Sequence, residues 1–268
     1  MNQAAQENIT PEDISGAFRG IPCLQADAVL GLLKIRDEIL DFTEQAIGLL
    51  EQADKTAGGI KIYFPHFRIS GCETYLSNRA IPAIARDIDR QCWHMLMEYS
   101  CLMAYMGQSA RRLWKDSLEK KDALELNLGN IEAVFREHYA YRHNLFEQGV
   151  KELFRAISWD RSNDLPLQLG KKYIQTSLGG THRWGTEHLD DLMRIFFVLD
   201  GKPEIYRERG ILASLNSNCD ENNDLKNDYI QVRLYQNGNG HVNFLRPDLV
   251  AAANSVIAKL YPDALPPK

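Results

Sequence analysis

Residues 229–260 read YIQVRLYQNGNGHVNFLRPDLVAAANSVIAKL, and this stretch decides the fold class. From Tyr229 to Tyr235 apolar and polar side chains alternate, the period of a strand with one face in a core. Asn237-Gly238-Asn239-Gly240 supplies turn residues, and alternation resumes at Val242 and Phe244, so the segment predicts a β-hairpin. Pro247 suits a first helical turn, where its missing N–H leaves no intrahelical bond unmade. Leu249, Val250, Ala253, Val256, Ile257 and Leu260 follow at helical spacing and give that helix an apolar face.

Upstream, helical periods dominate. Leu30, Leu33, Ile39, Phe42, Ala46, Leu49 and Leu50 recur at threes and fours between Asp27 and Lys55, predicting a long amphipathic helix that Gly58-Gly59 ends. Ile60 to Phe67 alternates like a short strand, and Gly71 to Ser77 reads as a connection. Pro82 opens a second helix through Ile84, Ile88, Cys92, Met95, Leu96 and Tyr99 to about Met106. Gly107 stops it, and Ser109 to Lys121 forms another around Ala110, Leu113, Trp114 and Leu118. The Met and aromatic stripe here reads as packed core rather than a cofactor pocket.

Asn127 is placed to cap a long helix running to about Ile157, because its short side-chain oxygen accepts from the free amides of a first turn. Ser162 to Pro166 is a polar turn, Lys172 to Ser177 a strand, Gly179-Gly180 a break and His188 to Leu199 a shorter helix closed by Asp200-Gly201-Lys202-Pro203. Asn216 to Asp228, polar and acidic, predicts a flexible loop. The fold class is therefore α+β and helix-dominated: a mainly helical part over 1–160 and a mixed part over 161–268, or one continuous domain.

Composition narrows the class further. With 268 residues, 44% of them hydrophobic and 25% charged, the chain is long enough to bury a sizeable core. The opening MNQAAQENITPEDISGAF has neither the basic region nor the apolar stretch of a signal peptide, and no apolar run approaches the ~20 residues of a membrane span. The expectation is a cytoplasmic protein with no membrane partner. Cys23, Cys72, Cys92, Cys101 and Cys219 are odd in number and scattered, with no C-x-x-C pair, and read as reduced thiols. A net charge of −5 gives no global basic footprint, yet is not acidic enough to mimic DNA.

Chemistry is looked for where polar groups interrupt an apolar pattern. His138 and Arg142 fall one turn apart on the side of the Asn127 helix defined by Ile131, Val134, Phe135, Leu145, Phe146, Val150, Leu153 and Ile157. Burying that pair is costly unless both are bonded, so it reads as a structural network or a catalytic pair. His143, Glu147 and Lys151 line up on the other face as a solvated stripe; if another element covers it, Glu147 and His143 become metal-ligand candidates. Lys171 and Lys172, with Arg183, are candidates for holding a phosphate, and Asp190-Asp191 are ligands or dipole-stabilising carboxylates at a helix start. On the hairpin, His241 and Asn243 share the face opposite Val242 and Phe244, with Arg233 across from them.

Several reaction classes lose their signature residues. Gln168-Leu169-Gly170-Lys171 lacks the paired acids of a restriction-type nuclease core, and a ββα metal nuclease would have only Asn254 as a further helix ligand. There is no G-x-G-x-x-G after a strand, no Walker loop, no G-x-S-x-G and no H-E-x-x-H. Pro266-Pro267 is the lone Pro-Pro pair and carries no amino-methyltransferase loop, so methyl transfer by this chain alone is not expected.

From Trp93 to Pro266 the chain resembles a domain-of-unknown-function family of phages, plasmids and integrative elements, formerly labelled methyltransferase-like. The resemblance is carried by Trp93-His94-Met95-Leu96-Met97, by Phe135-Arg136-Glu137-His138 with Arg142, and by Phe146-Glu147-Gln148-Gly149-Val150. Leu169-Gly170-Lys171-Lys172, Asp191-Leu192-Met193-Arg194 and Leu199-Asp200-Gly201-Lys202-Pro203 follow in the same order, then 237–244 and Asp248-Leu249-Val250. Some relatives carry the domain beside DNA methyltransferase domains, which implies a setting near DNA modification, restriction or evasion of host defence. The expectation is a mobile-element accessory protein that binds DNA, or a DNA-modifying or defence protein, through Lys171, Lys172, Arg183, Arg233, His241 and Asn243. The alternatives are a metal-dependent nuclease or other phosphodiester hydrolase using His138, Arg142, Glu147 and Asp191, and a purely protein-binding inhibitor. No cofactor is expected outside the nuclease alternative, which implies a divalent metal.

Overall fold

The computed structural model describes residues 26–58, 81–120, 124–157, 168–175, 185–203 and 224–261. The expected strand at Ile60 to Phe67, the Gly71 to Ser77 connection, the Ser162 to Pro166 turn, the Gly179-Gly180 break and Arg183 lie outside them. Helices α1 (Ala26–Thr56), α2 (Ile81–Tyr99), α3 (Leu102–Tyr105), α4 (Gln108–Leu118), α5 (Leu128–Ala140), α6 (Arg142–Ile157), α7 (Gly185–Leu199) and α8 (Pro247–Leu260) accompany strands β1 (Lys172–Gln175), β2 (Asp224–Lys226), β3 (Ile230–Leu234) and β4 (Gly240–Phe244). The fold is helix-dominated α+β. Among the described residues no helix is long and apolar enough to cross a membrane.

The chain forms two compact units, Met1–Met97 with Asp116–Arg136, and Glu98–Lys115 with Glu137–Lys268. In the first, Val29, Leu32 and Ile47 of α1, Cys92, Trp93, Leu96 and Met97 of α2, and Ile131, Val134 and Phe135 of α5 are buried. Asp89, also buried, accepts from Arg36 Nε at 2.8 Å and from the Leu126 amide at 3.1 Å. This pair ties α1 to α2 through a charge that would be costly to bury alone. Trp93 Nε1 donates to the Leu124 carbonyl at 2.8 Å, and Asn127 Oδ1 accepts from the Asn130 amide at 2.9 Å, the expected cap of α5.

Helix α1 turns a different side inward from the one its spacing suggested. Ile39 is 43% exposed and Phe42 and Leu49 are each 66% exposed, while Val29, Leu32 and Ile47 are buried. The helix carries two adjacent apolar stripes, and periodicity alone does not choose between them. The outer one borders a groove of about 610 Å³ lined by Ile39, Phe42, Ala46, Leu50, Ile84 and Ile88.

The second unit holds a four-stranded antiparallel sheet in the order β1-β4-β3-β2. Leu225, Ile230, Val232 and Val242 point from one face into a core with Phe146, Val150, Leu153 and Phe154 of α6, Leu189, Leu192 and Phe196 of α7, and Leu249, Val250, Ala253 and Ile257 of α8. The hairpin closes at Gly238, whose φ of 80° is the left-handed conformation glycine adopts without strain, and the Tyr235 amide donates to the Asn239 carbonyl at 2.9 Å. Asn254 of α8 accepts from the Leu169 amide and donates to its carbonyl, both at 2.9 Å, which pins the approach to β1.

Other expectations are corrected as well: the helix expected from Pro82 to about Met106 ends at Tyr99, and Leu102–Tyr105 forms the separate α3. The long helix from Asn127 is interrupted at Tyr141, giving α5 and α6. The polar run ending at Asp228 contains β2, a strand too short to show alternation. It is held to β3 by a tight turn in which Asn227 Oδ1 accepts from the amides of Tyr229 and Ile230, each at 2.8 Å. Cys92 is free and buried, its thiol pushed up by desolvation and by Asp89, but Cys101 is disulfide-bonded rather than reduced. A pair needs no local spacing in sequence once folding brings two Cβ atoms into bonding range.

At the end of α7 the chain makes a Schellman turn: Lys202 N–H bonds the Phe197 carbonyl and Gly201 N–H the Val198 carbonyl, with Gly201 at φ 73°. Asp200 accepts from Arg246 Nη2 at 2.8 Å, Tyr229 Oη at 2.9 Å and Lys202 Nζ at 2.6 Å, and these donors hold its carboxyl well below the usual range. A depressed carboxylate stabilises the fold above its ordinary pKa of about 4 and stops doing so as pH falls through its folded value. Asp200→Asn is therefore expected to lower the melting temperature at pH 7, and its gap to the wild type to close as pH drops below about 4. A gap independent of pH, measured by thermal melts across that range, would contradict this.

Candidate functional site

The polar face of the sheet follows from strand parity. With Val232 and Val242 inward, the odd-numbered residues of β3 and β4 point outward, and the register sets Arg233 opposite His241 and Gln231 opposite Asn243. Strand β1 pairs on the other side of β4 and brings Lys172 opposite Asn243. The result is a cleft of about 340 Å³ lined by Lys172, Gln231, Arg233, Tyr235, His241 and Asn243. The Tyr235 and His241 rings lie 4.4 Å apart, tilted at 47°. Lys226, opposite Gln231 on β2, extends the same face and is exposed.

Four residues singled out from sequence thus share one cleft: Lys172, Arg233, His241 and Asn243. Lys171 does not line it; exposed just before β1, it offers its carbonyl to the Phe244 amide at 3.2 Å. Gln231 and Tyr235 were missed, although the alternation that placed Arg233 outward places them outward too. The arrangement combines fixed cations, two side-chain amides that donate and accept, and an aromatic pair, the groups that hold phosphates, base edges and base faces respectively.

The other candidates occupy separate surroundings. Helix α5 ends between His138 and Arg142: the His138 ring stands edge-on to Trp114 at 5.6 Å, while Arg142 donates to the Tyr139 carbonyl at 2.6 Å and covers the Tyr139 ring at 3.9 Å. Both are half-buried rather than fully buried, so the cost of burial expected for the pair is smaller than the spacing implied. Glu147 accepts from Lys259 of α8 at 2.6 Å, and Lys151 lies 5.4 Å from the Tyr261 ring, so the outer stripe of α6 docks the terminal helix. His143 stays exposed.

Asp191 is buried within α7, not at a helix start, and pairs with Arg111 and with the fully buried Arg194. Arg194 Nη1 also donates to the Ala104 carbonyl at 2.9 Å. None of His138, Arg142, Glu147 and Asp191 lines the α1–α2 groove or the sheet-face cleft. Among the described residues no group of three or more His, Cys, Asp or Glu is placed to hold a metal ion. Asn254, the helix residue a ββα nuclease would need, is occupied by Leu169.

Comparison with known proteins adds one match. The family described as Domain of unknown function (DUF4942) matches residues 85–263, which takes in most of α2 and everything from α3 to α8. No curated protein and no solved structure matches the chain.

Proposed function

The chain belongs to the DUF4942 family, and from that premise we propose that it is a mobile-element accessory protein that binds DNA through the polar face of its sheet. The observation that carries the reading is the convergence of Lys172, Arg233, His241 and Asn243 with Tyr235 on one cleft, on the sheet face opposite the buried Val232 and Val242. Cations set on strands keep their spacing, so they offer a fixed pattern to phosphates, and an exposed sheet face leaves room for an extended polyanion. The overall charge of −5 confines that attraction to the face and makes it salt-sensitive. The setting near DNA modification, restriction or host-defence evasion belongs to the same proposal, as does a cytoplasmic location.

The test is fluorescence anisotropy with labelled mixed-sequence DNA, single-stranded and duplex, at low and moderate salt. The wild type is expected to bind at least one form, with affinity falling as salt rises. Lys172→Glu combined with His241→Ala is expected to weaken binding about ten-fold or more with an unchanged melting temperature, since both groups are on the surface. Absence of binding to either form, or wild-type affinity in the double variant, would defeat the proposal.

A second reading, a protein-binding inhibitor, draws on a different observation: Ile35, Ile39, Phe42 and Leu49 form an exposed apolar stripe along α1. That stripe suits an amphipathic helix of a protein partner. Affinity capture from the host, analysed for protein and nucleic acid, separates the readings, because Phe42→Glu removes a protein partner while Lys172→Glu removes nucleic acid.

A further inference from the structure

Resting on the DNA-binding reading, we infer that the sheet face takes unpaired nucleotides, stacking a base on Tyr235 and His241 while Lys172 and Arg233 hold the flanking phosphates. Width is the first argument. A duplex is read in its major groove, about 12 Å wide, by a helix or a two-stranded ribbon. Here β3 and β4 are flanked by β2 and β1, and four strands at about 4.8 Å span roughly 14 Å, so the hairpin cannot enter a groove. A duplex laid across the face would touch only phosphates, leaving the aromatic pair and the two amides unused.

Depth is the second argument. The cleft of about 340 Å³ sits at the low end of the range for small-ligand sites, roughly 300–1,000 Å³, a size for one nucleotide unit. Its walls are divided by chemistry. Tyr235, 44% exposed at the end of β3, and His241 form the aromatic side, with ring centroids 4.4 Å apart. Lys172, paired with Asn243 across β1 and β4, forms the cationic side. Between them Gln231 and Asn243, facing each other across β3 and β4, present amide donors and acceptors to whatever base edge lies over the strands. Only a base freed from its partner exposes a face to the aromatic pair and a hydrogen-bonding edge to the amides at once.

The experiment uses the full chain and three labelled oligonucleotides of about twelve nucleotides, within the usual site sizes for single strands: a mixed-sequence single strand, the same sequence as a duplex, and an abasic strand. The single strand is expected to bind about ten-fold more tightly than the duplex, and the abasic strand to lose most of that affinity. Tyr235→Ala is expected to weaken single-strand binding about ten-fold while Tyr235→Phe, which keeps the ring, stays near the wild type; neither moves the melting temperature. Equal or tighter binding of the duplex or the abasic strand, or wild-type affinity in Tyr235→Ala, overturns the inference and leaves the DNA-binding reading standing. Binding to none of the three overturns both.

Discussion

Asp191→Ala is expected to cost about 3–5 kcal/mol and to lower the melting temperature by about 10 °C, with no selective loss of binding at the sheet face. Asp191 is 4% exposed on α7 and is the carboxylate toward which Arg111 and Arg194 both point. Arg194 has no exposed surface at all, so removing the carboxylate strands a guanidinium that cannot reach water. Losing one partner of a buried pair is far costlier than losing both, because the penalty is the desolvation of the charge left behind. Arg194→Met added to Asp191→Leu should therefore restore part of the loss, and the coupling read from a double-mutant cycle should be about 1–3 kcal/mol. Urea denaturation measures each variant. A midpoint for Asp191→Ala at the wild-type value would remove the structural role and return Asp191 to the list of catalytic groups.

That ion pair also shows which parts of the molecule were legible in the sequence. The hairpin and α8 were, because alternation and helical period are local: Val242 and Phe244 fall on one side of a strand whatever surrounds it. The cleft was half legible for the same reason. Parity put Arg233, His241 and Asn243 on one face, but that β1 would pair with β4 and deliver Lys172 beside Asn243 is a long-range register that no local period encodes. The partners of Asp191 were not legible, since Arg111 on α4 and Arg194 on α7 look like ordinary surface charges until the helices pack. Conversely, His138 and Arg142 looked buried because helical spacing was carried straight through Tyr141, where the helix breaks. On α1 the spacing allowed two inward faces, and the bond from Arg36 to Asp89 accompanies the one that lies inside.

Gly149→Ala is expected to destabilise the protein by about 2–3 kcal/mol, reversing the usual sign of that exchange. Within an exposed helix, alanine is favoured over glycine by about 1 kcal/mol, because glycine gives up more backbone freedom on folding. At Gly149 of α6 an added Cβ would lie 2.8 Å from Arg194 Nη2 and 2.9 Å from the Gly107 Cα. The approach is reciprocal: a Cβ on Gly107 would stand 2.6 Å from the Gly149 Cα and 2.9 Å from Glu152 Oε2. For a Cβ on Gly149 one obstacle is the Gly107 backbone and the other is the guanidinium that Asp191 holds from the other side, so neither can swing clear. Relief requires α6 to move off the segment leading into α4, which would loosen the core around Val150 and Leu153. Gly48 on α1 supplies the control, because nothing lies within 4 Å of the Cβ it would carry. Gly48→Ala should raise the denaturation midpoint slightly while Gly149→Ala lowers it. A rise in both would mean that the glycines at 107 and 149 do not set the distance between their backbones, and that the buried arginine tolerates a closer neighbour than its packing implies.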